Sequence, residues 1–184
     1  AHEVAHLLLK KVEADQSNTD SFRISNHENR EIEQSCEQIA ASLLMPTDMF
    51  SRQAETEGWE LAAVTTLANS FDTSIVATAI RLAKLHPEPC LLGYWAFGNS
   101  QNKMPRPKWS ITNIRSRGTQ IHLVPKKGID PFTTVRSAAI TGELWRGTEM
   151  VSVGSKTPQI SPKFTEAKRY GKAENAFVLT LTYL

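Results

Sequence analysis

The spacing of apolar residues changes at Pro87 and Pro89, and this change limits what the chain can fold into. Before these prolines, apolar residues recur every three or four positions, as they do in amphipathic helices. After them, the chain breaks into short runs that are rich in β-branched and aromatic residues. The sequence therefore predicts an α+β fold, with a helical part over residues 1–86 and a strand-rich part over residues 87–184.

Helix signals divide the first part into segments. The stretches 2–14 and 30–46 have the helical spacing of apolar residues, and a polar loop over 15–29 separates them. Pro46 is expected to end the second helix. Thr47 is expected to be the N-cap of a short third helix.

Residues 60–85 predict a helix-turn-helix-like pair. Asp72 or Thr73 is expected to cap the second helix of the pair. A helix that reads DNA contacts bases from its N-terminal part and needs phosphate contacts nearby. The basic residues of this helix, Arg81 and Lys84, lie near its C-terminal end. We therefore expect the pair to pack against the rest of the helical part.

Six short segments after the prolines are predicted to be strands. They are residues 90–98, 109–116, 119–125, 132–145, 149–155 and 176–184. Each is bounded by Gly, Pro, Asn or Lys, which are typical of turns.

Charge is unevenly distributed along the chain. Residues 1–102 contain 7 Lys/Arg and 14 Asp/Glu, a net charge of −7, whereas residues 103–172 contain 14 and 4, a net charge of +10. This difference favours two domains with different partners. Basic residues around Trp109 would suit nucleic acid as a partner, but a solvated face of a sheet is the favoured interpretation.

Cysteine usage and hydropathy point to the cytoplasm. Cys36 and Cys90 lack C-x-x-C spacing and are expected to be buried thiols in a reducing compartment. No apolar run approaches the roughly 20 residues that cross a bilayer, so no membrane partner is expected. Because the chain begins with Ala1 rather than Met and enters a predicted helix at once, we expect further structure to precede it.

Two histidines and a glutamate open the chain in an H-E-x-x-H arrangement. On a helix, His2 and His6 lie one turn apart on the same side, and Glu3 can point into the same space. Two imidazoles in this position bind Zn²⁺, and the glutamate takes a proton from the metal-bound water. The motif predicts a zinc-dependent peptidase.

A catalytic zinc needs a third protein ligand, and the next helix offers candidates. Glu33 is the expected ligand, and Glu37, one turn later, is a candidate to orient a ligating histidine. The alternative for both is a solvated acidic pair, which stays open for Glu37. The candidates for stabilising the oxyanion are His27, His86, Tyr94 and His122. For each of these four, a packing or surface role is the favoured interpretation.

The stretches "AHEVAHLLL" and "EQSCEQIAASLLMP" resemble the ImmA/IrrE family of metallopeptidases. Members of that family carry an A-H-E-x-x-H-x-L-L helix, followed by E-x-x-x-(N/D)-x-x-A-A-x-L-L-M-P. The resemblance covers roughly residues 1–46. It implies zinc ligands at His2, His6 and Glu33, with Glu3 as the general base. Many members have Asn or Asp where this chain has Glu37.

The resemblance also implies an architecture and a function. The expected protein is a bacterial or phage-borne, cytoplasmic zinc endopeptidase with a zincin-like fold and a GAF-like sensor domain after the helix-turn-helix-like segment. Its expected substrate is a helix-turn-helix repressor, whose cleavage derepresses stress or mobile-element genes. Mn²⁺ or another divalent ion is an alternative to Zn²⁺. The alternative function is a DNA-binding or protein-binding transcriptional regulator with an inactive peptidase-like domain.

Overall fold

A computed structural model describes residues 26–97, 105–112, 133–147, 164–172 and 175–184. The helices in these ranges are α1 (Asn26–Leu44), α2 (Thr47–Glu57), α3 (Val64–Ser70), α4 (Ile75–Leu85) and α5 (Thr133–Thr141). The strands are β1 (Cys90–Phe97), β2 (Pro105–Thr112), β3 (Trp145–Gly147), β4 (Phe164–Tyr170) and β5 (Phe177–Tyr183). None of the described helices is both long and apolar enough to cross a membrane.

The first two described helices meet at Pro46. Helix α1 begins at Asn26, four residues before the predicted start, and ends just before this proline. Pro46 itself occupies the N-cap position of α2, so the prediction that Thr47 is the cap was wrong. Thr47 is the first helical residue, and its hydroxyl instead accepts a hydrogen bond from Arg81 at 2.9 Å. The proline thus ends one helix and starts the next, because it lacks the N–H that a helix interior requires.

The helix-turn-helix-like pair is present as α3 and α4. Its second helix is capped by Ser74, whose hydroxyl accepts the Ala77 N–H at 3.1 Å, rather than by the predicted Asp72 or Thr73. Asp72 has a φ of 49°, a left-handed conformation that Asp tolerates better than most residues. Asp72 therefore turns the chain, which leaves Ser74 at the start of α4.

The strands form one antiparallel sheet in the order β2-β1-β5-β4-β3. The C-terminal strand β5 is central and pairs with β1 from Cys90↔Tyr183 to Ala96↔Phe177. On its other side, β5 pairs with β4. The predicted α+β class is thereby confirmed, and the predicted strands 90–98 and 176–184 correspond to β1 and β5.

Residues 132–145, predicted to be a strand, contain helix α5 instead. Val135, Ala138 and Ala139 are buried at the i, i+3 and i+4 spacing of a helix face. The helix ends before Gly142, whose φ of 77° suits a residue without a side chain. The β-branched residues that suggested a strand are outweighed here by this buried face.

Strand β4 was not predicted from the sequence. Its charged residues hide the alternation that places Phe164, Glu166 and Tyr170 on one face and Ala167 on the other. The predicted strand 109–116 begins earlier, at Pro105, and is described as far as Thr112. The predicted segments 2–14, 119–125 and 149–155 lie outside the described residues.

The sheet is covered on both faces. Helices α2, α3 and α4 share one apolar core with the face that carries Leu179 and Leu181. Helix α5 packs on the opposite face, against Trp95, Ala167 and Val178. The alternation along β5 explains this arrangement, because successive side chains point to opposite faces of a sheet.

Burial of ionisable groups in the core predicts a loss of stability in alkali. Burial raises the pKa of the Cys90 thiol from 9.0 to about 12 and raises the pKa of the Tyr170 and Tyr183 phenols. Above about pH 9 the unfolded chain releases these protons while the folded chain keeps them, so the free energy of unfolding falls as pH rises. Urea unfolding measured between pH 7 and about 10.5 should give a free energy of unfolding that is constant at first and then falls as pH rises. Cys90→Ala should make the decline shallower, and an identical decline in the variant would contradict the assignment to Cys90.

Candidate functional site

The predicted metal residues lie mostly outside the described part of the chain. His2, Glu3 and His6 are outside the described residues, and so is the side chain of Glu33. The backbone of α1 is helical at positions 33 and 37, which puts the two positions one turn apart on the same side, as predicted. Within the described residues no group of three or more His, Cys, Asp or Glu side chains could hold a metal. The zinc site therefore stays a prediction.

Helix α1 has a buried face and an exposed acidic position. Cys36 and Ala40, one turn apart, are buried, whereas Glu37 is exposed. Ala41, the residue after Ala40, packs against the apolar core that α2–α4 share with the sheet. Glu37 could orient a histidine ligand only if the metal centre lies on its exposed side of the helix.

The described candidates for an oxyanion donor have packing roles. His86 is buried between Trp59 and Tyr183, with ring centroids 5.7 and 5.3 Å away. Its Nδ1 accepts the backbone N–H of Glu88 at 3.0 Å, which holds the turn between α4 and β1. Tyr94 stacks on Phe177 at 5.1 Å. The side chain of His27 and all of His122 are outside the described residues.

Helix α4 is suited to packing rather than to reading DNA. Thr78, Ala79 and Leu82 are buried in its centre. Arg81 is only partly exposed, and one of its N–H groups donates to Thr47 within the protein. Lys84, in the last turn, is left as the exposed basic residue of the helix. One exposed cation at the C-terminal end gives little attraction for phosphates.

Part of the basic stretch 103–172 also makes contacts within the protein. Arg169 donates to the Ala139 carbonyl at 3.1 Å and lies over the Phe97 ring. Lys168 lies over the Tyr170 ring, 5.4 Å from its centroid. These cations are therefore not all available to an external anionic partner.

The most tightly connected polar site in the described structure surrounds Glu166, which is fully buried on β4. One carboxylate oxygen, Oε2, accepts the backbone N–H of Leu61 at 2.9 Å. The other oxygen, Oε1, accepts Nε–H of Arg146 at 2.7 Å. Arg146 also donates to Glu60, so one guanidinium joins two carboxylates. We call Glu60, Arg146 and Glu166 the Glu166 cluster.

Two tyrosines add hydrogen bonds between the sheet and the segment that contains Leu61. Tyr170 donates its hydroxyl proton to the Leu61 carbonyl at 2.9 Å, and Tyr183 donates to the Trp59 carbonyl at 3.4 Å. Burial raises the pKa of both phenols above its ordinary value, so they stay protonated as donors well into alkaline pH. The segment 58–63, between α2 and α3, is thereby bonded to the sheet at several points.

The sequence analysis did not single out the Glu166 cluster. The available signal was the stretch "FTEAKRY", in which Glu166 has the same two-residue phase as Phe164 and Tyr170. A carboxylate between two aromatic residues on one strand face is expected to be buried and paired. Its partners could not be identified from sequence, because Leu61 is 105 residues away.

The comparison with known families bears on the helical part of the chain. Residues 1–83 are similar to the IrrE N-terminal-like domain of the peptidase M78 family. The match includes the predicted metal residues and α1–α3, and it ends within α4. It supports the resemblance to the ImmA/IrrE family and indicates a metallopeptidase-like domain. No curated protein matches the chain.

Glu166→Gln should destabilise the protein more than Glu60→Gln does. The amide keeps the volume of the carboxylate but faces two N–H donors with only one acceptor oxygen, which leaves a buried donor unpaired. The expected loss in the free energy of unfolding is about 1–3 kcal/mol. Glu60 is half-exposed, and its variant should lose at most about 1 kcal/mol. Urea unfolding at pH 7 measures both; equal losses would contradict a central role for Glu166.

Proposed function

We propose that this protein is a zinc-dependent endopeptidase of the ImmA/IrrE type. The observation that carries the proposal is the match of residues 1–83 to the IrrE N-terminal-like domain, a stretch that contains His2, Glu3, His6 and Glu33. Two imidazoles and a carboxylate form a donor set of the kind that Zn²⁺ takes in peptidases. The helical backbone around position 33 supports a helical third ligand.

The residues of this chain would divide the chemistry between them. His2, His6 and Glu33 would hold the ion, and a bound zinc supplies a Lewis acid that lowers the pKa of water and polarises a carbonyl. Glu3 would accept the proton of the attacking water and return it to the leaving amine. Glu37 would orient one histidine by accepting its second N–H.

We propose a helix-turn-helix repressor as the substrate and the cytoplasm of a bacterium as the setting, with derepressed stress or mobile-element genes as the result. These points follow from the family resemblance. The same resemblance gives residues 87–184 a sensor or partner-binding role, and the five-stranded sheet with α5 agrees with the strand-rich fold expected of that part. A GAF-like identity for this part belongs to the same proposal.

Metal content tests the proposed site. Protein purified without chelator should contain one zinc ion per chain, and Glu33→Ala should lose it or bind it much more weakly, because three protein ligands are needed for tight binding. The matched control is Glu57→Ala, which removes an exposed glutamate of α2. Elemental analysis gives both results. Absence of metal from the wild type, even after zinc is added, would favour the alternative regulator without peptidase activity.

Glu3→Gln tests the proposed general base. The amide cannot accept the water proton, so cleavage should fall by about 10²–10⁴-fold while zinc content stays unchanged. New protein N-termini can be compared in bacterial cells that express the wild type or the variant. We expect a new N-terminus within a helix-turn-helix protein for the wild type alone. The same cleavage in both strains would contradict the role of Glu3.

A further inference from the structure

An open cavity of about 360 Å³ lies beside the Glu166 cluster. Among the described residues, its walls are formed by Glu60, Arg146, Gly147 and Phe164. The volume is near the lower end of the range of small-molecule pockets, and the cavity is largely open to solvent, so a bound molecule would be covered on one side only. None of these described lining residues is a predicted metal ligand, so the charges that they bring to the cavity do not depend on the proposed peptidase function.

The charges around the cavity do not cancel. The single positive charge of Arg146 is shared by Glu60 and Glu166, so the three residues together carry a net charge of −1. Both oxygens of Glu166 are already bonded, to Leu61 and to Arg146, and its side chain is fully buried. Glu60 has a half-exposed side chain, and only its Oε2 is bonded to Arg146. Arg146 also lines the cavity with a half-exposed side chain, but its one charge is shared by two carboxylates, so a surplus negative charge remains at the half-exposed Glu60.

Phe164 supplies an aromatic wall in the same cavity. Its ring stacks on that of Tyr183 with centroids 4.2 Å apart, which fixes its orientation, and the residue is only partly buried. The face of an aromatic ring attracts cations, and its area packs against apolar groups. A carboxylate and a fixed ring side by side are complementary to a positive charge carried on an apolar body.

We propose that this cavity binds small organic cations, in which an ammonium or guanidinium group is attached to an aromatic or aliphatic body. The charged group pairs with Glu60, and the body packs on Phe164. The net negative charge disfavours anions, and a neutral molecule of the same shape lacks the ion pair. Glu60 belongs to segment 58–63, which is bonded to the sheet. A cation bound to Glu60 therefore adds one more contact to this segment.

Three probes of one shape test this proposal: benzylammonium, benzyl alcohol and benzoate. Ligand-observed NMR on the full chain at pH 7 should show binding of benzylammonium, and the alcohol and benzoate should bind at least about tenfold more weakly. Glu60→Gln should weaken benzylammonium binding by about tenfold or more. The matched control Glu55→Gln, which neutralises an exposed carboxylate on α2, should bind as the wild type does.

A second variant separates binding from folding. Phe164→Leu keeps the charges of the Glu166 cluster, so it should weaken all aromatic probes while the preference for the cation over benzoate persists. Thermal unfolding of each variant confirms that it is folded under the conditions of the titration. No binding of benzylammonium to the wild type, equal binding of benzoate, or unchanged binding to Glu60→Gln would overturn the proposal. A failure to find zinc would count against the proposed peptidase function but not against cation binding in the cavity. The two proposals can therefore fail separately.

Discussion

A buried carboxylate joins the segment between α2 and α3 to the sheet. Glu166 lies in the sheet without solvent contact, where an unpaired charge would be very costly. The free-energy cost of burying this carboxylate is offset because each of its oxygens accepts a hydrogen bond, one from Arg146 and one from the Leu61 N–H. Such a site tolerates little displacement, since moving either partner leaves a buried charge poorly paired. Glu166 therefore restricts where the segment between α2 and α3 lies on the sheet, together with the hydrogen bonds from Tyr170 and Tyr183.

The same contact links the two parts of the chain. Segment 58–63 belongs to the region that matches the IrrE N-terminal-like domain, whereas Glu166 and the two tyrosines belong to the sheet that follows it. Helices α2–α4 and the sheet also share an apolar core, so burial and hydrogen bonding act at the same interface. The matched region is in direct contact with the strand-rich part. The division of the chain at residue 86 remains a prediction.

The local spacing of apolar and turn residues predicted the helices and strands better than it predicted the polar contacts between them. The stop at Pro46, the pair α3–α4 and the strands β1 and β5 follow from spacing and turn residues near in sequence. Helix α5 was missed because β-branched residues obscured its buried face, and β4 because its charged residues obscured the alternation. The Glu166 cluster joins residues more than 80 positions apart, which no local pattern encodes. His2 and His6 were predicted from the spacing of one motif, and Glu33 from the next helix and the family resemblance; all three still await a direct test.

X-ray absorption at the zinc edge of the metal-loaded protein tests the central claim most directly. The account predicts a first shell of nitrogen and oxygen at about 2.0–2.2 Å, with the multiple-scattering signature of two imidazoles and no sulfur. A sulfur shell at about 2.3 Å would mean that a cysteine binds the metal. That result, or a shell without imidazole, would contradict the site formed by His2, His6 and Glu33.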